Sequence, residues 1–166
     1  PVLIRNDHNV LLQLTIDSQR TSPTSLEAIG FSLAGTDRVD DIEVLEVFHT
    51  GAKSEFDAGV LFGQTVPPSM TITIRGTQPL QPGANIFWLS CRLKPSADLS
   101  RKVATAVTSV NAGGGAVSVA NQPAPVRRRI GIALRKHNDD GVHTYRIPVK
   151  QLEREHRRQP PVSHQA

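Results

Sequence analysis

The chain has 166 residues, 38% of them hydrophobic and 20% charged, enough to bury one ordinary core and too apolar for a disordered chain. No apolar run approaches the ~18 residues of a membrane span, and a single cysteine, Cys91, excludes an internal disulfide. The net charge of +4 is uneven: residues 1–126 hold 9 Lys and Arg against 11 Asp and Glu, whereas residues 127–166 hold 10 against 4.

The chain opens on Pro1 with no basic-then-apolar leader, so either a leader already removed or a fragment edge is expected. From Asn9 onward apolar residues recur with period two. Val10, Leu12, Leu14 and Ile16 share one face while Gln13, Thr15 and Asp17 face away, the pattern of a half-buried strand. Similar runs are Ile29-Phe31-Leu33, Ile42 to Phe48, Val60 to Phe62, Met70-Ile72-Ile74, Ile86 to Leu93, Val103 to Val110 and Val117 to Val119. Turn-rich stretches such as Thr-Ser-Pro-Thr-Ser, Val-Pro-Pro-Ser and Gly113-Gly114-Gly115 separate them. Seven or eight strands at this spacing predict an all-β fold, an antiparallel β-sandwich. Ile42 to Phe48 breaks strict alternation, which predicts a bulge or a strand covered on both sides.

The run Asn85 to Leu93 is apolar on both faces and predicts a central strand. Trp88 within it is either a core residue or a sugar-stacking platform, since an aromatic face suits the C–H face of a pyranose; a central-strand aromatic is more often buried. Cys91 reads as a buried, inert thiol. Asn121 to Arg129, with two prolines, reads as an extended connector, and a new alternating strand starts at Ile130. Arg127-Arg128-Arg129 and the basic tail raise nucleic-acid binding, but few aromatics accompany them and the preceding region is mildly acidic, so no nucleic-acid partner is expected. His137, Asp139, Asp140 and His143 superficially suggest a metal site. Their spacing suits neither zinc nor calcium, so Asn138-Asp139-Asp140-Gly141 is read as a turn and neither metal nor cofactor is expected.

Tyr145-Arg146-Ile147-Pro148, preceded by the run from Gly131, resembles the [Phe/Tyr]-Arg-Ile-Pro strand that opens the catalytic propeller of bacterial exo-α-sialidases. The Phe87-Trp88-Leu89-Ser90 strand, between a Pro-Gly turn and Pro95-Ser96-Ala97-Asp98, resembles one in the N-terminal module associated with those enzymes. The resemblance implies that Arg146 matches an arginine of the triad gripping the carboxylate of sialic acid, a task suited to the two parallel donors of a guanidinium. It also implies a secreted, periplasmic or cell-surface bacterial protein. Its partners would be sialylated glycans or other carbohydrate, and its own catalytic domain in a full-length enzyme.

Only 18 residues follow Pro148, and they are polar and without strand periodicity. A propeller needs several four-stranded blades, and no Ser-x-Asp-x-Gly-x-x-Trp box, the repeat signature of those blades, is present. The expected organisation is therefore a carbohydrate-binding-module-like sandwich over 1–122, a linker over 123–129, the first strand of an incomplete propeller over 130–148 and an unstructured tail over 149–166. No complete catalytic set is expected in this chain, and it is predicted to be inactive alone. The expected role is an accessory module that binds glycan, through Trp88, or positions the enzyme. The alternative is a structural or protein-interaction sandwich with no sugar binding of its own.

Overall fold

Period-two alternation puts the apolar side chains of each strand on one face, and two such faces close on each other. The computed structural model describes residues 1–19, 23–65, 69–118, 126–132 and 144–148. Its strands are β1 (Val2–Ile4), β2 (Asn9–Ser18), β3 (Thr24–Ser32), β4 (Ile42–His49), β5 (Leu61–Thr65), β6 (Thr71–Leu80), β7 (Gly83–Leu93), β8 (Lys102–Ala112), β9 (Gly115–Ser118), β10 (Val126–Ile132) and β11 (Thr144–Pro148). One sheet runs β1-β10-β8-β3-β6, with β9 also on β8; the other runs β11-β2-β7-β4-β5. Between them lies a core that includes Leu12, Leu14, Phe31, Leu45, Phe87 and Val107. Burying each such side chain is worth roughly 1.5–3 kcal/mol. The expected β-sandwich is the observed architecture.

The alternation fails at two bulges. Between Val10 and Leu12 the β2–β7 register shifts, so Leu11 and Leu12 both enter the core and Val10, expected there, turns to the opposite face. In β4 a shift between Ile42 and Val44 sends Ile42, Leu45 and Val47 inward and leaves Val44 and Phe48 buried outside the core cluster. A bulge and cover on both sides therefore occur together.

One edge of the sandwich closes by backbone contact between the sheets. A Cβ on Gly63 of β5 would run into the Arg75 carbonyl oxygen, and one on Gly76 of β6 into the Phe62 carbonyl oxygen. Only glycine permits that approach, which brings two sheet edges together and shields both.

The C-terminal strands differ from the sequence expectation. Val126 to Arg129, read as linker, pairs antiparallel with β8, and Ile130 to Ile132 pairs parallel with β1. Ile130 joins the core, and Arg128, in the middle of the arginine run, is buried. Two prolines end before Val126, so nothing in 126–132 prevents pairing. The Tyr-Arg-Ile-Pro strand, β11, pairs parallel with β2 along the edge of the second sheet. The tail 149–166 and the cluster His137, Asp139, Asp140 and His143 lie outside the described residues.

His49 ends β4 against Phe87, ring centroids 4.6 Å apart. It is buried, and its Nε2 has no hydrogen-bond partner among the described residues. Burial holds its pKa below the usual histidine value because an imidazolium there would lose its hydration. An unfolded chain takes up a proton near pH 6.5 that the folded one resists, so this stability is full above that pH and declines as pH falls below it. Thermal melting midpoints should drop between pH 7 and 5.5 in the wild type, and His49→Phe should flatten that limb; an unchanged limb in the variant would exclude His49 as its source.

Candidate functional site

Side chains that alternate away from the core make the outer face of the second sheet. On β7 this set is Ile86, Trp88, Ser90 and Arg92, and on β4 it includes Glu46 and Phe48. Most of it is buried, because two loops fold over it. The first, residues 50–60, starts where Thr50 N–H donates to the Ile86 carbonyl and Ile86 N–H to that of Gly51. Gly51, at φ 64°, lets the chain turn back. Phe56 then lies edge-on to Phe48 at 5.7 Å and to Trp88 at 6.0 Å.

The second cover is the N-terminal segment, held by the β1–β10 pairing and by one buried side chain. Asn9 Oδ1 accepts from Leu3 N–H at 2.7 Å and from Asn6 Nδ2 at 3.1 Å. Asn9 Nδ2 faces the carbonyls of Leu3, Asn6 and Cys91 at 2.9, 3.3 and 3.2 Å. Arg5 takes a left-handed turn at φ 67° inside this knot. The loop ends at His8, whose Nδ1 lies 3.2 Å from Glu46 Oε2 and whose ring stands edge-to-face on Phe48 at 5.1 Å.

Between the two covers is a pocket of about 410 Å³, within the roughly 300–1,000 Å³ range of small-molecule sites. Leu3, Val10, Phe56 and Trp88 give it apolar walls, and Asn6, His8 and Glu55 give it polar edges. No lysine or arginine lines it. The arrangement suits binding: ring and aliphatic surface for an apolar face, with hydrogen-bonding groups at the rim.

Trp88 borders this pocket but is only 3% exposed. Its Nε1–H donates to Thr50 Oγ1 at 2.9 Å, and that hydroxyl donates to the Lys53 carbonyl at 2.7 Å. Trp88 is thus a wall and an anchor for the 50–60 loop, and the half-buried Phe56 is the more open ring. Arg146 pairs through its backbone with Thr15 of β2, while Trp88 pairs with Gln13; β2 stands between the two candidate residues. Burial pushes the Cys91 thiol up to about 12, an effect that the Arg128 charge opposes and Glu46 adds to; a thiol so placed is no nucleophile at neutral pH. Among the described residues no three His, Cys, Asp or Glu side chains gather as a metal site, and no helix is long and apolar enough to cross a membrane.

Sequence reasoning missed His8, Asn9, Glu46, Glu55 and Phe56. Phe56 carried a legible signal, a lone aromatic in the polar loop Ala52-Lys53-Ser54-Glu55-Phe56-Asp57. Asn9 carried none, since its role depends on contacts with Leu3, Asn6 and Cys91.

The fold defines a two-sheet β-sandwich module with a small-molecule-sized pocket on one outer face. The chain belongs to the family described as the N-terminal domain of BNR-repeat neuraminidase, which matches residues 1–116. A sialidase of Bacteroides fragilis (strain YCH46) is 23% identical over 176 residues, covering 89% of this chain and 32% of that protein. Among solved structures, Hadza microbial sialidase Hz136 shares the fold with a TM-score of 0.62 at 20% identity, over 80% of this chain and 30% of that one. The chain thus spans about a third of the length of these relatives.

Asn9→Ala removes five side-chain contacts at a buried site and should destabilise the chain by roughly 2–4 kcal/mol. Urea denaturation should show a lower midpoint with an unchanged slope. A loss under about 0.5 kcal/mol would mean that the β1–β10 pairing holds the N-terminal segment without the knot.

Proposed function

We propose that this chain is the N-terminal accessory module of an exo-α-sialidase acting on terminal sialic acid of glycoconjugates outside the bacterial cytoplasm, and that its first task is to position the catalytic domain. The observation that supports this is the pairing of β10 with β1 and β8 in one sheet and of β11 with β2 in the other. The chain leaves the sandwich tied to both layers. A catalytic domain entered at Tyr145-Arg146-Ile147-Pro148 would therefore start from a fixed place and direction, unlike one hung on a flexible linker. In a completed site Arg146 would grip the substrate carboxylate. Retaining glycosidases also need an acid/base and a nucleophile flanking the bond, groups that the family supplies beyond this strand.

Glycan binding by the sandwich itself is a second reading, favoured by the pocket beside Trp88. Phe56 would offer the stacking surface and Trp88 would support it. A sandwich that grips only protein is the remaining alternative.

The chain alone should release no sialic acid from a fluorogenic sialoside. Joined after Pro148 to the remaining propeller of the Bacteroides fragilis relative, it should do so. Arg146→Ala in that chimera should lower kcat/KM on the order of 10²–10³-fold, the cost of unpairing a desolvated carboxylate. Turnover by the chain alone, or a chimera indifferent to Arg146→Ala, would contradict the proposal.

A further inference from the structure

We infer that the 50–60 loop is a lid pinned by one side chain, its crest lifting off the sheet when the Phe56 ring leaves its seat beside Trp88. Both feet of the loop are tied by main-chain hydrogen bonds: Thr50 N–H to the Ile86 carbonyl, Ile86 N–H to that of Gly51, and His49 N–H to that of Val60. Between the feet, among the described residues, every hydrogen bond stays inside the loop. Lys53 N–H donates to the Thr50 carbonyl at 3.2 Å, the Thr50 hydroxyl to the Lys53 carbonyl, and Gly59 N–H to Asp57 Oδ1 at 2.9 Å. Ser54, Glu55 and Asp57 are exposed. The ring contacts that hold this crest down are those of Phe56, against Phe48, Trp88 and, at 6.1 Å, His8.

Lifting the crest therefore breaks no hydrogen bond to the sheet. The Trp88 Nε1–H keeps its acceptor, because Thr50 belongs to a tied foot, so no buried polar group is stranded. Gly51 and Gly59 stand beside the two feet, where small residues absorb the dihedral change of a hinge. Opposing the motion are the lost ring contacts and the exposure of apolar surface on Phe56, Phe48 and Trp88, so the closed form dominates and the open one is a minor state. The N-terminal cover has no such freedom: moving it would break the β1–β10 pairing and the Asn9 amide bonds. The pocket thus has one fixed wall and one movable wall. Closed, it presents Phe56; open, it presents the face of Trp88, which is 3% exposed beneath the lid. The lid is independent of the class of ligand that the pocket takes and of the proposed role of the chain, and its test needs neither turnover nor a sugar.

Phe56→Ala should raise the iodide quenching of Trp88 several-fold at unchanged circular dichroism, and Phe56→Leu, which refills the seat with apolar volume, should recover most of the protection. In the wild type, ¹⁵N relaxation dispersion should show one exchange process on the μs–ms timescale of lid opening, shared by the Glu55, Phe56 and Asp57 amides and the Trp88 indole and absent from the Thr50 and Ile86 amides. Trp88 quenching in Phe56→Ala equal to that of the wild type would overturn the pin. Exchange at Thr50 and Ile86 as large as that at Glu55 would overturn the hinge, since the whole loop would then leave the sheet. A flat profile at all of these positions would mean that the crest does not open, and would overturn the lid itself.

Discussion

The β2–β7 ladder, clamped at both ends by buried asparagines, sets the register of the second sheet and of what packs on it. At one end Asn9 ties the N-terminal segment to the Cys91 carbonyl. At the other, Asn85 Oδ1 accepts from Gln81 N–H at 2.8 Å while its Nδ2 reaches the carbonyls of Gln81, Gly83 and Ile16 at 2.8, 3.1 and 3.4 Å. Each amide satisfies backbone groups that a strand end would leave buried and unpaired. The ladder between them fixes which residues of β7 face the core and which face the covers. A one-residue slip would exchange Phe87 and Leu89 for Trp88 and Ser90.

With the register fixed, the two faces of β7 acquire separate tasks. Phe87, Leu89, Cys91 and Leu93 belong to the inter-sheet core. Trp88, on the reverse side, receives Phe56 and holds Thr50, so the 50–60 loop packs as a second, smaller layer. The pocket lies where that layer meets the N-terminal segment, and its shape is set by the Asn9 knot and the Trp88–Thr50 bond together. Away from that region, β10 pairs in the first sheet and β11 in the second.

The sheets were legible in the sequence wherever alternation was strict, as in Ile29-Phe31-Leu33, and the doubly apolar Asn85 to Leu93 announced the central strand. Bulges were not, because Val10 and Leu11 look equally eligible for the core until the partner strand is known. The three-residue β1 was missed for a related reason: its partner, Ile130 to Ile132, is remote in the chain, and three residues carry no period. Arg127 to Arg129 read as the end of an extended connector, yet Arg128 is buried, since strand pairing decides burial where composition does not. Of the candidate site only Trp88 was named. Its neighbours come from loops whose meeting is a tertiary event, and the one local sign, Phe56 among polar residues, needs the sheet beneath it to gain meaning.

Trp88, the only tryptophan in the chain, reports directly on the cover over the outer face of the second sheet. Its fluorescence in the native protein should be blue-shifted from that of the guanidinium-unfolded chain and much less sensitive to iodide quenching. Emission and quenching equal to those of the unfolded chain, under conditions where circular dichroism shows the sheets intact, would mean that this face is open to solvent.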